Sequence, residues 1–107
     1  MTEHTPDSWV ILKITENEET RYKVLCGWSV RPFVDNDSWR VDSRITGVEK
    51  HAYLYGFYGS PDSVYWCHKG SYGLTIRMAQ IYSGMKQRFG SAIELMPEDT
   101  NWHEVKW

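Results

Sequence analysis

Cysteine is scarce in this chain, and its two cysteines, Cys26 and Cys67, do not form a C-x-x-C pair. A secreted scaffold stapled by disulfides would carry many more cysteines, and small structural zinc sites need closely spaced Cys or His ligands. The four histidines add no H-x-x-x-H or H-E-x-x-H spacing. We therefore expect buried thiols, no metal site and no cofactor.

The motifs of common enzyme classes are also missing. No G-x-S-x-G elbow is present, and the stretch YGFYGSPDS lacks the lysine and the following helix that a phosphate loop requires. Asp35 and Asp37 are a pair of carboxylates, but they follow Pro32 in a segment where capping a turn is the simpler role. The sequence predicts a protein that is not an enzyme and has no catalytic residues.

Long apolar runs are absent as well. No segment approaches the ~20 apolar residues that span a bilayer, and the N-terminal MTEHTPDS lacks the basic and apolar regions of a secretion signal. These absences predict no membrane partner and a cytoplasmic location.

Aromatic residues are what the chain has in excess, with six Trp, seven Tyr and three Phe. Large rings fill small strand-rich cores, but Trp and Tyr are also enriched at interfaces. The net charge is −2, although residues 21–90 carry ten basic and five acidic side chains between acidic ends. A mildly basic body could attract an anionic partner. Composition therefore leaves both uses of the rings open.

Alternating apolar and polar residues predict a series of strands. Residues 8–14 and 22–28 lie at hairpin distance, and alternation along 22–28 places four side chains on one face: Tyr22, Val24, Cys26 and Trp28. Residues 38–45 have the clearest period of two. In 38–45 one face carries Trp39, Val41 and Ile45, and the other carries Arg40, Asp42 and Arg44. Residues 51–68 read as a hairpin closed by GSPDS, with rings on both faces.

The fold class predicted is α+β: an antiparallel sheet of five or six strands with one amphipathic helix, about 73–89, on one face. The helix follows from an apolar stripe from Leu74 to Phe89 and from Gly90 as its stop. Residues 1–107 should form a single domain, with 1–7 frayed and 97–107 an irregular acidic tail. The expected core is Val10, Leu12, Val24, Trp39, Val41, Leu54, Leu74, Met78, Ile81 and Met85. Trp102 and Trp107 of the tail dock either on this domain or on another chain.

The predicted binding surface joins the polar face of 38–45 to the outward rings of the 51–68 hairpin. Its members are Arg40, Arg44, Tyr53, Tyr55, Tyr65, Trp66 and Lys69. Arg, Tyr and Trp are the residue types of interface hot spots, which favours a protein partner. The same rings and basic groups could hold single-stranded nucleic acid. The sequence pI of about 6.0 argues against that alternative.

The runs YKVLCGW, DSWRVDSRI and SVYWCHKGSYGL resemble small uncharacterised proteins encoded by bacteriophages and mobile elements. The resemblance covers roughly residues 9–75. It implies an accessory protein that binds and blocks a host protein, for example a component of a bacterial defence system. The shared motifs are aromatic and structural, so no functional residue is carried over from them.

Overall fold

The computed structural model describes residues 2–28, 38–41, 44–59 and 62–107. In these residues the chain forms eight strands and one α-helix. The strands are β1 (Thr2–His4), β2 (Ser8–Glu16), β3 (Glu19–Trp28), β4 (Ser38–Val41), β5 (Ile45–Lys50), β6 (Leu54–Gly59), β7 (Ser63–His68) and β8 (Ile93–Leu95), and the helix is α1 (Ile76–Phe89). The α+β class and the single main helix are confirmed.

The strands form two four-stranded sheets, where one sheet of five or six strands was predicted. The sheet that we call the outer sheet has the order β1-β7-β6-β5, and the central sheet has the order β4-β3-β2-β8. All neighbours are antiparallel except β1 and β7, which run parallel. Helix α1 packs on the face of the central sheet that is turned away from the outer sheet. The order of layers is therefore outer sheet, central sheet, helix.

Two buried clusters hold these layers together, because β2 and β3 are apolar on both faces. Trp9 and Ile11 of β2 face the outer sheet, whereas Val10 and Leu12 face the helix. The interlayer cluster, between the sheets, contains Trp9, Ile11, Val24, Cys26, Ile45, Phe57, Tyr65, Cys67 and Trp102. The helix-side cluster contains Val10, Leu12, Ile14, Leu25, Met78 and Ile93.

Helix α1 is bounded by the signals that the sequence carries. Thr75 precedes it, and its Oγ1 accepts a hydrogen bond from the Met78 amide at 3.1 Å. Gly90 ends it with φ of 59°, in the left-handed region that favours glycine. The predicted start at residue 73 was three residues early, because the residues before the cap are not helical.

The predicted strand 38–45 was wrong as a single strand. Strand β4 ends at Val41 in the central sheet, and β5 begins at Ile45 in the outer sheet. The chain therefore changes sheets where the alternation looked continuous. Asp42, and the turn expected around Asp35 and Asp37, lie outside the described residues.

Most of the predicted core has the expected burial, with two exceptions. Val10, Leu12, Val24 and Met78 are fully buried, and Val41, Leu54, Ile81 and Met85 are half-buried. Trp39 is 45% exposed because β4 is an edge strand, and Leu74 is 36% exposed because it lies before the first helical turn. Those two assignments to the core were wrong.

The terminal segments are ordered parts of the fold. Residues 2–4 form β1 and pair with β7, and the Thr2 amide donates to the Asp62 carbonyl at 3.0 Å, so the frayed end predicted for residues 1–7 was wrong there. Trp102 of the tail is only 2% exposed and belongs to the interlayer cluster. The tail therefore docks on this domain. Across the described ranges, no helix has the length and apolarity needed to cross a membrane.

Candidate binding surface

The rings of the β6–β7 hairpin are divided between its two faces by the alternation of side chains along a strand. Phe57 and Tyr65 face the central sheet and are buried. Tyr58 and Trp66 lie on the opposite face, which we call the outer face, and both are partly exposed. The hairpin thus supplies rings to the core and to the surface at once.

Trp66 lies flat against the backbone of β6 on the outer face. A Cβ atom at Gly56, its cross-strand partner, would come within 2.5 Å of the Trp66 ring, so glycine is required for this close approach. The indole Nε1 donates to Glu3 Oε1 at 2.9 Å. The ring of His51 meets the Trp66 ring at a centroid distance of 5.6 Å in a T-shaped arrangement. Trp66 is therefore held on three sides.

Glu49, on β5, lies on the same outer face, where it is paired with Gly56 of β6. Its Oε2 accepts a hydrogen bond from the Tyr58 hydroxyl at 2.6 Å and lies 3.5 Å from His51 Nε2. The hydrogen bond from Tyr58 lowers the pKa of Glu49 and raises the pKa of Tyr58. Glu49 is consequently a carboxylate at neutral pH, and its orientation is fixed by its neighbours.

An open cleft lies at the tip of the β5–β6 hairpin, beside Trp66. The tip is a tight turn in which the His51 amide donates to the Leu54 carbonyl at 2.9 Å. The turn pushes Tyr53 into solvent, where its side chain is 81% exposed. The hairpin cleft has a volume of about 360 Å³ and is lined by His51, Ala52, Tyr53, Leu54 and Trp66.

Of the seven predicted binding residues, Tyr53 and Trp66 come together at this cleft. Tyr55 and Lys69 lie on the inward side of the same turn, with Lys69 Nζ 5.1 Å from the Tyr55 ring centroid and 3.2 Å from the Ala52 carbonyl oxygen. Tyr65 is 1% exposed, so its placement on a surface was wrong: an odd-numbered position on β7 faces the central sheet.

The two predicted arginines are engaged in contacts within the domain. Arg40 Nε donates to the Tyr65 hydroxyl at 3.1 Å, which ties the edge strand β4 to the outer sheet. Arg44 Nη1 lies 3.2 Å from Glu19 Oε1, and its Nη2 donates to the backbone oxygen of Trp107 at 2.7 Å. The structure therefore gives Arg44 a role in tying the tail to the sheets.

Sequence reasoning missed four residues of the outer face: Glu3, Glu49, His51 and Tyr58. Glu49 and His51 are two positions apart, which is the spacing of side chains on one face of a strand. That spacing was a usable signal. Glu3 had no such signal, because residues 2–4 lack an apolar pattern and pair with a strand some sixty positions away.

Outside the hairpin cleft, three features were candidates for a chemical role: a groove on the helix, clusters of metal-ligating side chains and the two cysteines. A groove of about 590 Å³ runs along the exposed side of α1, but its lining, Ile76, Ala79, Gln80, Ser83, Gly84 and Gln87, contains no ionisable group. Among the residues that the structure describes, no group of three or more His, Cys, Asp or Glu side chains could hold a metal ion. Cys26 and Cys67 are buried, and burial raises the pKa of the Cys67 thiol.

Comparison with protein families, with curated proteins and with solved structures gives no match for this chain.

Proposed function

We propose that this protein is a non-enzymatic binding module that recognises another protein through the outer face around the hairpin cleft. The observation that carries the proposal is Tyr53, a ring that is 81% exposed at a tight turn beside an apolar cleft. Solvated tyrosines next to a concave apolar surface are typical anchors of protein interfaces. Trp66 and Leu54 supply the rest of the anchor.

The charges on the outer face favour protein over single-stranded nucleic acid, which is the alternative. Glu3 contacts the indole of Trp66 and Glu49 contacts the imidazole of His51, and these are two of the rings on which bases would have to stack. Two carboxylates there would repel a phosphate backbone, whose binding depends on neutralisation by basic groups. Arg44 is paired with Glu19 and the tail, away from the cleft.

The resemblance to bacteriophage accessory proteins indicates which kind of partner to expect. We expect the partner to be a bacterial host protein that is blocked when it binds, and we expect the encounter to occur in the cytoplasm. Buried thiols without a disulfide framework are compatible with that reducing compartment.

The test is affinity capture from bacterial lysate with and without nuclease. It compares the wild type with Tyr53→Ser and with Trp39→Ser, a matched control that removes a 45% exposed ring from the edge of the central sheet. We expect a protein that is retained after nuclease, is bound by the control, and is lost about 30-fold with Tyr53→Ser, the effect of losing a hot spot.

Three outcomes would contradict the proposal. Capture that disappears with nuclease would assign the surface to nucleic acid. Equal capture by both variants would place the interface elsewhere. No captured protein would remove the proposed activity altogether. An Arg44→Glu variant would not serve here, because it would disturb the tail as well as the surface.

A further inference from the structure

The hairpin cleft combines ring walls with a negative rim. Its volume of about 360 Å³ suits one long side chain and lies at the small end of ligand sites. The rings of His51, Tyr53 and Trp66 contribute to its lining. Glu49 borders it through His51, and Glu3 borders it through the indole of Trp66. Among the described residues, the imidazole of His51 is the one basic group in contact with these carboxylates, and neither lysine nor arginine pairs with them.

Both carboxylates are oriented before any ligand arrives. The Tyr58 hydroxyl positions Glu49, and the Trp66 indole positions Glu3. The contacts that described residues make with Glu49 end on Oε2, and a carboxylate offers about four lone-pair sites, so capacity for another donor remains. The hydrogen bond from Tyr58 also lowers the pKa of Glu49, which keeps the acceptor charged.

A nearby lysine does not occupy the outer side of the cleft. Lys69 reaches the hairpin tip from the inward side, where its Nζ donates to the Ala52 carbonyl and lies over the ring of Tyr55. Tyr55 packs against the interlayer cluster, so this cation is directed toward the core side of the turn. Lys69 therefore neutralises neither Glu3 nor Glu49, the two carboxylates that the described residues place next to the outer side of the cleft.

A planar cation matches this arrangement better than a compact one. A guanidinium stacks on aromatic faces and donates two parallel hydrogen bonds to a carboxylate, and it is less strongly hydrated than an ammonium group. The cation–π attraction reaches to about 6 Å from a ring centroid. Arginine is the side chain that satisfies both the rings and the carboxylates.

We propose that the hairpin cleft is a receptor for an arginine side chain presented by the partner protein. This inference rests on the proposed function and adds the chemistry of the partner's contact residue. The arginine stem packs between Tyr53 and Trp66, and the guanidinium lies at the rim, toward Glu49.

The test uses the ¹⁵N-labelled protein and a small probe, so that it does not depend on finding the partner. N-acetyl-arginine amide is titrated to millimolar concentrations while the indole Nε1–H of Trp66 and the amide of Gly56 are followed by NMR. N-acetyl-citrulline amide, which keeps the shape and lacks the charge, is the matched probe. We expect a saturable shift with arginine and binding of citrulline that is about five-fold weaker, the scale of an exposed cation–π contact.

Two variants check the site within the same titration. Glu49→Gln keeps an acceptor for Tyr58 and removes the charge, so it should weaken arginine binding about five-fold. Glu94→Gln removes an exposed carboxylate from β8, in the other sheet, and should leave binding unchanged. The spectra of both variants report whether the fold is retained.

The outcomes separate this inference from the proposed function. Equal shifts with citrulline, or no shift with arginine, would overturn the arginine receptor. If capture of a protein still depended on Tyr53, the proposed function would stand without it. Arginine binding that was unaffected by Glu49→Gln would also overturn the assignment to this cleft. Loss of lysate capture alongside normal arginine binding would instead refute the proposed function.

Discussion

The two faces of the central sheet are packed by different chemistry. The interlayer cluster contains four large rings, Trp9, Phe57, Tyr65 and Trp102. The helix-side cluster, one residue away along the same strands, is aliphatic apart from the thioether of Met78. Both clusters are closed to solvent, so the difference between them is not one of burial.

The difference lies in how strictly each cluster fixes the position of its layers. Trp9 contacts the rings of Phe57, Tyr72 and Trp102 at centroid distances of 5.4, 4.7 and 6.1 Å, and its Nε1 donates to the His68 carbonyl at 2.6 Å. Rings with a preferred geometry and a polar edge accept few arrangements. Aliphatic side chains can be repacked while volume is conserved. The rings set the relation between the sheets, and the helix is held less specifically.

The largest expected effect comes from removing a ring between the sheets. Trp102→Ala should lower the free energy of unfolding by about 3–5 kcal/mol, because it empties a site that is 2% exposed and releases the tail. Urea denaturation measures it. Trp39→Ala is the control and should cost less than about 1 kcal/mol, since that ring is 45% exposed. Similar costs for the two would refute the docking of the tail.

A smaller effect is expected in the helix-side cluster. Met78→Ala should cost about 2–4 kcal/mol, as for other buried large-to-small changes. Met78→Leu should cost less than about 1.5 kcal/mol, because it conserves volume among aliphatic neighbours. Trp102→Phe should cost more than Met78→Leu in the same urea measurement. The reverse order would show that the interlayer cluster is not packed more specifically than the helix-side cluster.

Tyr72 touches both clusters, and removing its hydroxyl should cost less than either truncation to alanine. Its hydroxyl donates to the Met96 carbonyl and accepts from the Ile11 amide at 3.4 Å. Tyr72→Phe should therefore cost about 1 kcal/mol at pH 7, the net value of a hydrogen bond.

The cost of Tyr72→Phe should also depend on pH. Burial raises the pKa of Tyr72, so the folded state favours the protonated phenol. Its stabilising contribution is present below the ordinary tyrosine pKa of about 10 and is lost as the pH rises above it. The stability difference between wild type and Tyr72→Phe should shrink between pH 9 and about 11 in urea titrations at each pH. A constant or growing difference would contradict this burial.

The smallest effect concerns the thiols of the interlayer cluster. Burial raises the pKa of Cys67, so the reactive thiolate is disfavoured in the folded protein. We expect neither Cys26 nor Cys67 to react with a thiol reagent at pH 8 in the native state, and both to react in denaturant. Rapid native labelling of either one would show that the sheets separate readily.

Local patterns predicted the parts of the fold that depend on near neighbours. The alternation at 22–28 assigned Tyr22, Val24, Cys26 and Trp28 to one face, and all four contribute to or pack against the interlayer cluster. The stripe on the helix likewise placed Met78 inward. These features follow from the geometry of a single strand or helix.

Features that depend on pairing between distant segments of the chain could not be predicted from local sequence patterns. Nothing between Val41 and Ile45 marks the point where the chain changes sheets, and nothing in Glu3 shows that it meets Trp66. The candidate site shares this limit: Tyr53 and Trp66 were predicted from their residue type, but the carboxylates next to the cleft, Glu3 and Glu49, were not. Which side chains of a strand are buried depends on which layer packs against that strand.

The parallel pairing of β1 with β7 has a consequence for how the chain is made. Thr2 pairs with Ser63, and Leu12 pairs with Leu95, so each sheet needs one strand from early and one from late in the chain. During translation the β2–β3 and β6–β7 hairpins can form from local contacts, but neither sheet can be completed until its last strand leaves the ribosome. Such a high contact order slows folding and leaves strand edges uncovered on the nascent chain. Until β8 emerges, the edge of β2 with which it pairs is therefore a surface on which a chaperone could act.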